Sequence, residues 1–260
     1  MRLPIWTQRL LAVVFIGLAA ICGIIEATHW QYKETGNSKD MHGGVPMGIL
    51  NDNCDNGKDR LWVDYDGAKE DYLCPGLHWV SNTNINARNE APFSSCQTTD
   101  LDPPLHVCMY QVIEYRDPIP TNGAHRPLWA KYGEYQYLPK QRWLHNLEHG
   151  AAVFLYHPCA DPTEVEELKR IARSCLWKHI ITPFRELSRE TPFAVLAYGC
   201  KLILPRVDEA LTEEFLQDHA LNAPESSNDE DGQFDEGLFV PARHLLHYED
   251  RSTICHSDTW

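Results

Sequence analysis

The chain lacks most of the motifs by which a sequence announces a reaction. It has no Gly-rich phosphate loop and no dinucleotide fingerprint, so no segment is built to cradle a nucleotide phosphate. It has no G-x-S-x-G elbow, which removes the usual support for a serine nucleophile. No two cysteines stand as C-x-x-C, which argues against a thioredoxin-like redox pair and against a cysteine zinc ribbon. An N-x-Ser/Thr glycosylation acceptor is absent, as are an internal repeat and any long apolar run after Ile25. Basic residues are scarce, with 23 Lys and Arg against 37 Asp and Glu, a net charge of −14 and no basic run. Nucleic acid needs clustered cations to neutralise phosphate, so it is excluded as a partner, and a cationic partner or plain solubility fits the balance better.

What is present begins with 260 residues, enough to bury a full core as one large domain or a domain with appendages. Arg2 and Arg9 precede LLAVVFIGLAAICGII, Leu10 to Ile25, which has the form of the basic and apolar regions of a secretory signal. Its length lies between a signal peptide and a comfortable membrane span of about 20 residues. Two outcomes follow for residues 1–27: cleavage near Cys22 or Ala27, or retention as a signal anchor, with residues 10–25 the chain's one membrane contact. Either places the remainder in an oxidising compartment. Beyond Cys22 stand Cys54, Cys74, Cys96, Cys108, Cys159, Cys175, Cys200 and Cys255, an even set that reads as a disulfide framework whose pairing the spacing does not choose.

Residues 28–118 are rich in Asn, Asp, Gly and Pro, and apolar runs such as LWVDY at Leu61 and VCMYQVIEY at Val107 are short. They are expected to be loops and short strands under disulfide control. Residues 119–222 are more regular. AAVFLY, Ala151 to Tyr156, suits a buried strand, and Asp161, Pro162 and Glu164 supply a helix start before Val165, Leu168, Ala172 and Cys175 at helical spacing. IITPF at Ile180 and FAVLAYGCKLIL, Phe193 to Leu204, read as two strands paired antiparallel. VDEALTEEFLQDHA gives a last helix with Leu211 and Phe215 one turn apart. The expected fold class is α+β, a largely antiparallel sheet with helices on one face, preceded by the stapled N-terminal region. Residues 223–260 open with an acidic loop, APESSNDEDGQFDEG. It reads as a disordered connector more readily than a calcium site, since the EF-hand spacing is missing.

The densest chemistry lies in WLHNLEHG, Trp143 to Gly150, where His145 and His149 stand four residues apart. That spacing brings two imidazoles to one side in a helix or in a strand, and paired imidazoles are a common beginning of a metal site. A helix from Pro139 to Gly150 also turns Glu148 toward the pair, giving H-x-x-E-H, the order of the inverzincin peptidases, with Glu148 the candidate base; a strand turns it away. His125, in the Gly- and Pro-rich turn PIPTNGAHRPLW, is the candidate third ligand, with Thr121, Asn122 and Asn146 as orienting partners and His157 as a further candidate. The competing reading makes His125, His145 and His149 hydrogen-bonded core residues beside Trp129 and Trp143. His244 and His247 read as a surface pair.

The runs IPTNGAHRPLWAKYGEYQYLP and RWLHNLEHGAAVFLYHPC carry T-x-G-x-H, H-N-L-E-H-G and an apolar strand in that order. Over Ile119 to His219 the chain thereby resembles the domain of unknown function 3105 family, and its Cys-rich first half resembles the animal branch, tumour protein p53-inducible protein 13. The resemblance implies an N-terminal signal or anchor, an extracytoplasmic domain and, for animal members, a link to growth restraint. It raises His125, His145, Glu148 and His149 together as site positions without assigning them a role. Animal relatives can carry a second membrane span near the C terminus, which this sequence does not show.

Three functions stand open on these grounds. The leading one is a secreted or lumenal, disulfide-stapled domain whose His125, His145 and His149 bind zinc or copper(II). The second is a non-enzymatic interaction module with structural histidines. The third is a zinc hydrolase using Glu148.

Overall fold

A computed structural model describes residues 41–80, 91–243 and 254–255. The signal-like segment and the pair His244 and His247 lie outside the described residues. Continuous apolar stretches of β-branched and aromatic residues make the central strands. These are β3 (Ala152–Tyr156), β4 (His179–Pro183) and β5 (Phe193–Ala197), joined by β6 (Cys200–Leu204). Shorter strands β1 (Phe93–Cys96), β2 (Gly133–Tyr135) and β7 (Leu238–Pro241) extend one seven-stranded sheet in the order β1-β6-β5-β3-β4-β2-β7. Pairing is mostly antiparallel; β4 alone runs parallel to its neighbours β3 and β2. Among the described residues the α-helices are α1 (Lys140–Glu148), α2 (Pro162–Cys175) and α3 (Glu209–His219). Asp161 caps α2 by accepting from the Thr163 amide, ahead of Pro162, and Asp208 caps α3 through the Leu211 amide.

The helices do not share one face. Ala152 and Phe154 of β3 pack with Leu168 and Ile171 of α2 and Phe215 of α3, whereas Val153 and Leu155 pack with Trp143, Leu144 and Leu147 of α1. Strand alternation sends successive side chains to opposite faces, and an unbroken apolar run such as AVFLY therefore needs cover on both. Nor do IITPF and FAVLAYGCKLIL form one antiparallel pair. The second run is itself a hairpin, β5 and β6, turning at Tyr198 and Gly199, and β3 lies between β4 and β5. Gly199 has φ +71° and a Cβ there would lie 2.8 Å from the Gln97 carbonyl oxygen, so the turn needs glycine.

Among its described residues the Cys-rich region supplies one strand, β1; LWVDY holds only a 3-10 turn, Leu61–Val63, and 107–115 forms no named strand. The guanidinium of Arg126 takes the place of a strand partner there, donating to the carbonyls of Val107, Cys108 and Gln111 at 3.0, 2.7 and 2.9 Å. All eight candidate cysteines are paired, as Cys54–Cys108, Cys74–Cys159, Cys96–Cys200 and Cys175–Cys255. The acidic stretch is a packed loop, which overturns the expected disordered connector. Its Asp231 accepts from the Tyr132 amide at 2.8 Å, Lys178 donates to the Ser226 and Asn228 carbonyls, and Phe234 is buried. Among the described residues no helix is long and apolar enough to cross a membrane.

Candidate metal centre

The candidate site is built along α1, which is buried almost all round. Trp143, Leu144 and Leu147 face the sheet, and the other side binds the extended segment 126–130 rung by rung. The Gln141 carbonyl accepts from the Arg126 amide, the Arg142 guanidinium donates to the Leu128 carbonyl, and the Asn146 amide both donates to and accepts from the Ala130 backbone. Asn146 therefore orients backbone and not an imidazole. Asn122 accepts from the Asp102 amide, and the Thr121 carbonyl accepts from the Gly199 amide, so neither plays the expected orienting part. The helix ends in a Schellman motif. Gly150, at φ +80°, donates to the Leu147 carbonyl and Ala151 to the Asn146 carbonyl.

His145 and Glu148, three residues apart on this helix, meet His125 from the 121–125 turn and His106 from the disulfide-held segment after Pro104. One ligand atom from each of these four lies within 4.8 Å of every other, and all four residues are buried. Backbone carbonyls fix each ring: Nδ1 of His106 faces Val45 O at 2.7 Å, that of His125 faces Gly123 O at 2.8 Å, and that of His145 faces Arg126 O at 2.6 Å. A carbonyl only accepts, so Nδ1 carries the proton and Nε2 presents a lone pair. The Nε2 atoms of His106, His125 and His145 and Oε2 of Glu148 have no hydrogen-bond partner. His125 Nε2 and Glu148 Oε2 are nevertheless 3.2 Å apart. Two lone pairs at that distance need a cation between them. A second proton on His125 would suffice there, whereas a divalent ion would also engage His106 and His145.

Burial, then the neighbouring imidazoles, holds His145 well below its ordinary pKa, and burial pushes His106 down to about 4. Burial acts upward on Glu148, but His125 and His42 outweigh it, and its pKa lies below the ordinary value. Neutral imidazoles and one carboxylate are a donor set for a divalent transition metal.

His149 is not brought to that point. Its ring stacks on His145 at 4.9 Å and belongs to a neighbouring group with His145 and Glu225, where burial lowers its pKa to about 4. His145 is thus shared between two groups, one with His149 and Glu225 and the other with His106, His125 and Glu148, and the carboxylate of Glu148 lies in the second. His157 stacks on Trp79 at 4.2 Å and accepts from the Cys159 amide, away from the cluster. His106, His42 and Glu225 escaped the sequence reading, since no local spacing ties them to α1. The one available signal was the proximity of His106 to Cys108. The groups Cys96, Cys200, His219 and Cys175, Glu213, Cys255 also fall within ligand distance, but their sulfurs are disulfide-bonded and offer no thiolate.

Fold and site together define a disulfide-linked α+β domain with a buried histidine and glutamate cluster. Residues 106–232 match the model of a family described as a protein of unknown function, DUF3105, and that span contains His106, His125, His145, Glu148, His149 and Glu225. No curated protein and no solved structure matches the chain.

Proposed function

We propose that this is a metal-binding domain of the secretory pathway, holding one zinc or copper(II) ion on Nε2 of His106, His125 and His145 and on the carboxylate of Glu148. The observation that carries the reading is the set of three buried imidazoles, each with Nδ1 engaged by a backbone carbonyl and Nε2 unpartnered toward one carboxylate. Structural histidines satisfy both nitrogens, because an unpaired buried polar atom costs about 1–3 kcal/mol. Carbonyl-fixed imidazoles are also the usual way in which a protein sets tautomer and ring direction for a metal. Zinc suits a four-donor tetrahedral set, and copper(II) accepts imidazole readily. Secretory placement is supported by the signal-like first 27 residues and by four disulfides, which are consistent with an extracellular or lumenal protein.

The test is elemental analysis of the purified full chain, with calorimetric titration of the stripped protein by Zn(II) and by Cu(II). Bound metal is expected in the wild type, with at least tenfold weaker binding in His106→Ala, His145→Ala and Glu148→Gln and none of that loss in His157→Ala. A wild type that binds neither ion, with the same variants merely less stable, would overturn the reading. It would favour the second one, an interaction module of the kind the animal-branch resemblance suggests, in which a proton on His125 holds Glu148 as an ion pair.

A further inference from the structure

The carboxylate of Glu148 is two-faced. While Oε2 lies 3.2 Å from His125 Nε2, Oε1 lies 3.4 Å from Nε2 of His42 on the opposite side. The same His42 nitrogen is 3.6 Å from Oε1 of Glu225, and ligand atoms of His42, Glu148 and Glu225 all fall within 4.8 Å of one another. His42 is held there by the first cluster. Its ring stacks on His106 at 4.5 Å with 13° between the planes, and its carbonyl accepts from the His106 amide at 3.1 Å. Glu225 is held by the acidic loop, whose Glu225 amide donates to the Glu148 carbonyl at 3.1 Å. The side chains of His42 and Glu225 are 16% and 21% exposed where that of Glu148 is fully buried, so this second group forms the outward wall of the cluster.

We propose, resting on the metal reading above, that a second divalent transition-metal ion binds between His42, Glu148 and Glu225, and that Glu148 bridges the two ions through its two carboxylate oxygens. Charge favours it. The inner ion has one carboxylate for its two positive charges, and Glu225 brings a second acidic group to the outer position. Sites with two metals bridged by shared oxygen ligands place the ions about 3.5–4 Å apart, a separation that one carboxylate spans. The two positions differ in kind. The inner one has four protein donors in a closed setting, whereas the outer has three and faces the surface, which leaves coordination room for water or a small anion.

Cu(II) titration of the metal-stripped full chain, followed by calorimetry and electron paramagnetic resonance, tests this. The wild type is expected to take two equivalents. The first should give a full mononuclear signal, and the second should lower the integrated signal per copper through coupling across Glu148. His42→Ala and Glu225→Gln are expected to take one equivalent and keep an uncoupled spectrum. One equivalent in the wild type, with the same affinity in both variants, would overturn the bridged pair and leave the inner site intact. Two equivalents with uncoupled spins would place the second ion elsewhere and overturn it too. Absence of binding in the wild type would remove both readings together.

Discussion

His179 shows what burial does to a single titratable side chain outside the cluster. Its ring is almost wholly enclosed, Nδ1 faces the Leu176 carbonyl at 2.7 Å, and burial, with Arg173 adding to it, lowers its pKa from 6.5 to about 4. The folded state therefore resists a proton that the unfolded chain accepts. The sign follows from linkage: a lowered histidine pKa leaves full stability above pH 6.5, and stability is lost as pH falls from 6.5 toward about 4. Urea unfolding of metal-stripped protein at stepped pH is expected to show this decline, at most about 1.4 kcal/mol per unit from this residue. His179→Gln should flatten the curve in that window, and an unchanged slope would show that the imidazole is accommodated when charged. At this scale the sequence was most legible where chemistry is local. The four-residue spacing nominated His145 and His149, and the glycine turn nominated His125; His125 and His145 converge with Glu148, while His149 groups with His145 and Glu225. Spacing fixes direction around a helix, but which direction meets other ligands depends on what the rest of the chain places there.

At the scale of elements, α1 acts as the connector between the sheet and the Cys-rich segment. Two buried arginines make the joint. Arg142 on α1 pairs with Asp55, its Nη2 donating to Oδ1 at 3.0 Å, and Arg126 on the adjoining segment pairs with Asp64, its Nε donating to Oδ2 at 2.8 Å. The Arg142 and Asp55 side chains are 1% and 0% exposed, so removing one partner leaves an unneutralised charge out of water. Asp55→Ala is expected to destabilise the protein by about 3–5 kcal/mol in chemical denaturation, and the double variant with Arg142→Met should recover part of that loss. Equal destabilisation in the single and double variants would mean that packing and not charge is what Asp55 supplies. The cap at Asp161 was readable because a cap is a contact within one turn. The partition of α1 from α2 and α3 across the sheet was not, although the uninterrupted apolar runs of β3, β4 and β5 carried its signal.

For the whole molecule the disulfides set which distant segments the sheet receives. They span 54 to 104 residues of sequence, and closure of such loops contributes about 4 kcal/mol each by limiting the unfolded chain. Cys54–Cys108 does more, since it anchors the strand-less segment that carries His106. Replacing Cys54 and Cys108 by serine is expected to lower both stability and metal content, whereas replacing Cys74 and Cys159 should lower stability with metal content kept. Metal analysis beside thermal melts distinguishes the two, and equal metal loss in both variants would reduce the bridge at Cys108 to a general staple. Protein recovered from an oxidising compartment should present none of these eight thiols to a thiol reagent. The sequence by itself determined the acidic balance, the apolar strands and the helices α2 and α3, because each of these depends on neighbours within a few residues. The tertiary structure alone decided that β4 runs parallel to β3, that four particular cysteine pairs form, and that His106, His42 and Glu225 arrive at Glu148. Convergence of segments far apart in sequence is set by how the core packs, and a linear pattern carries no record of it.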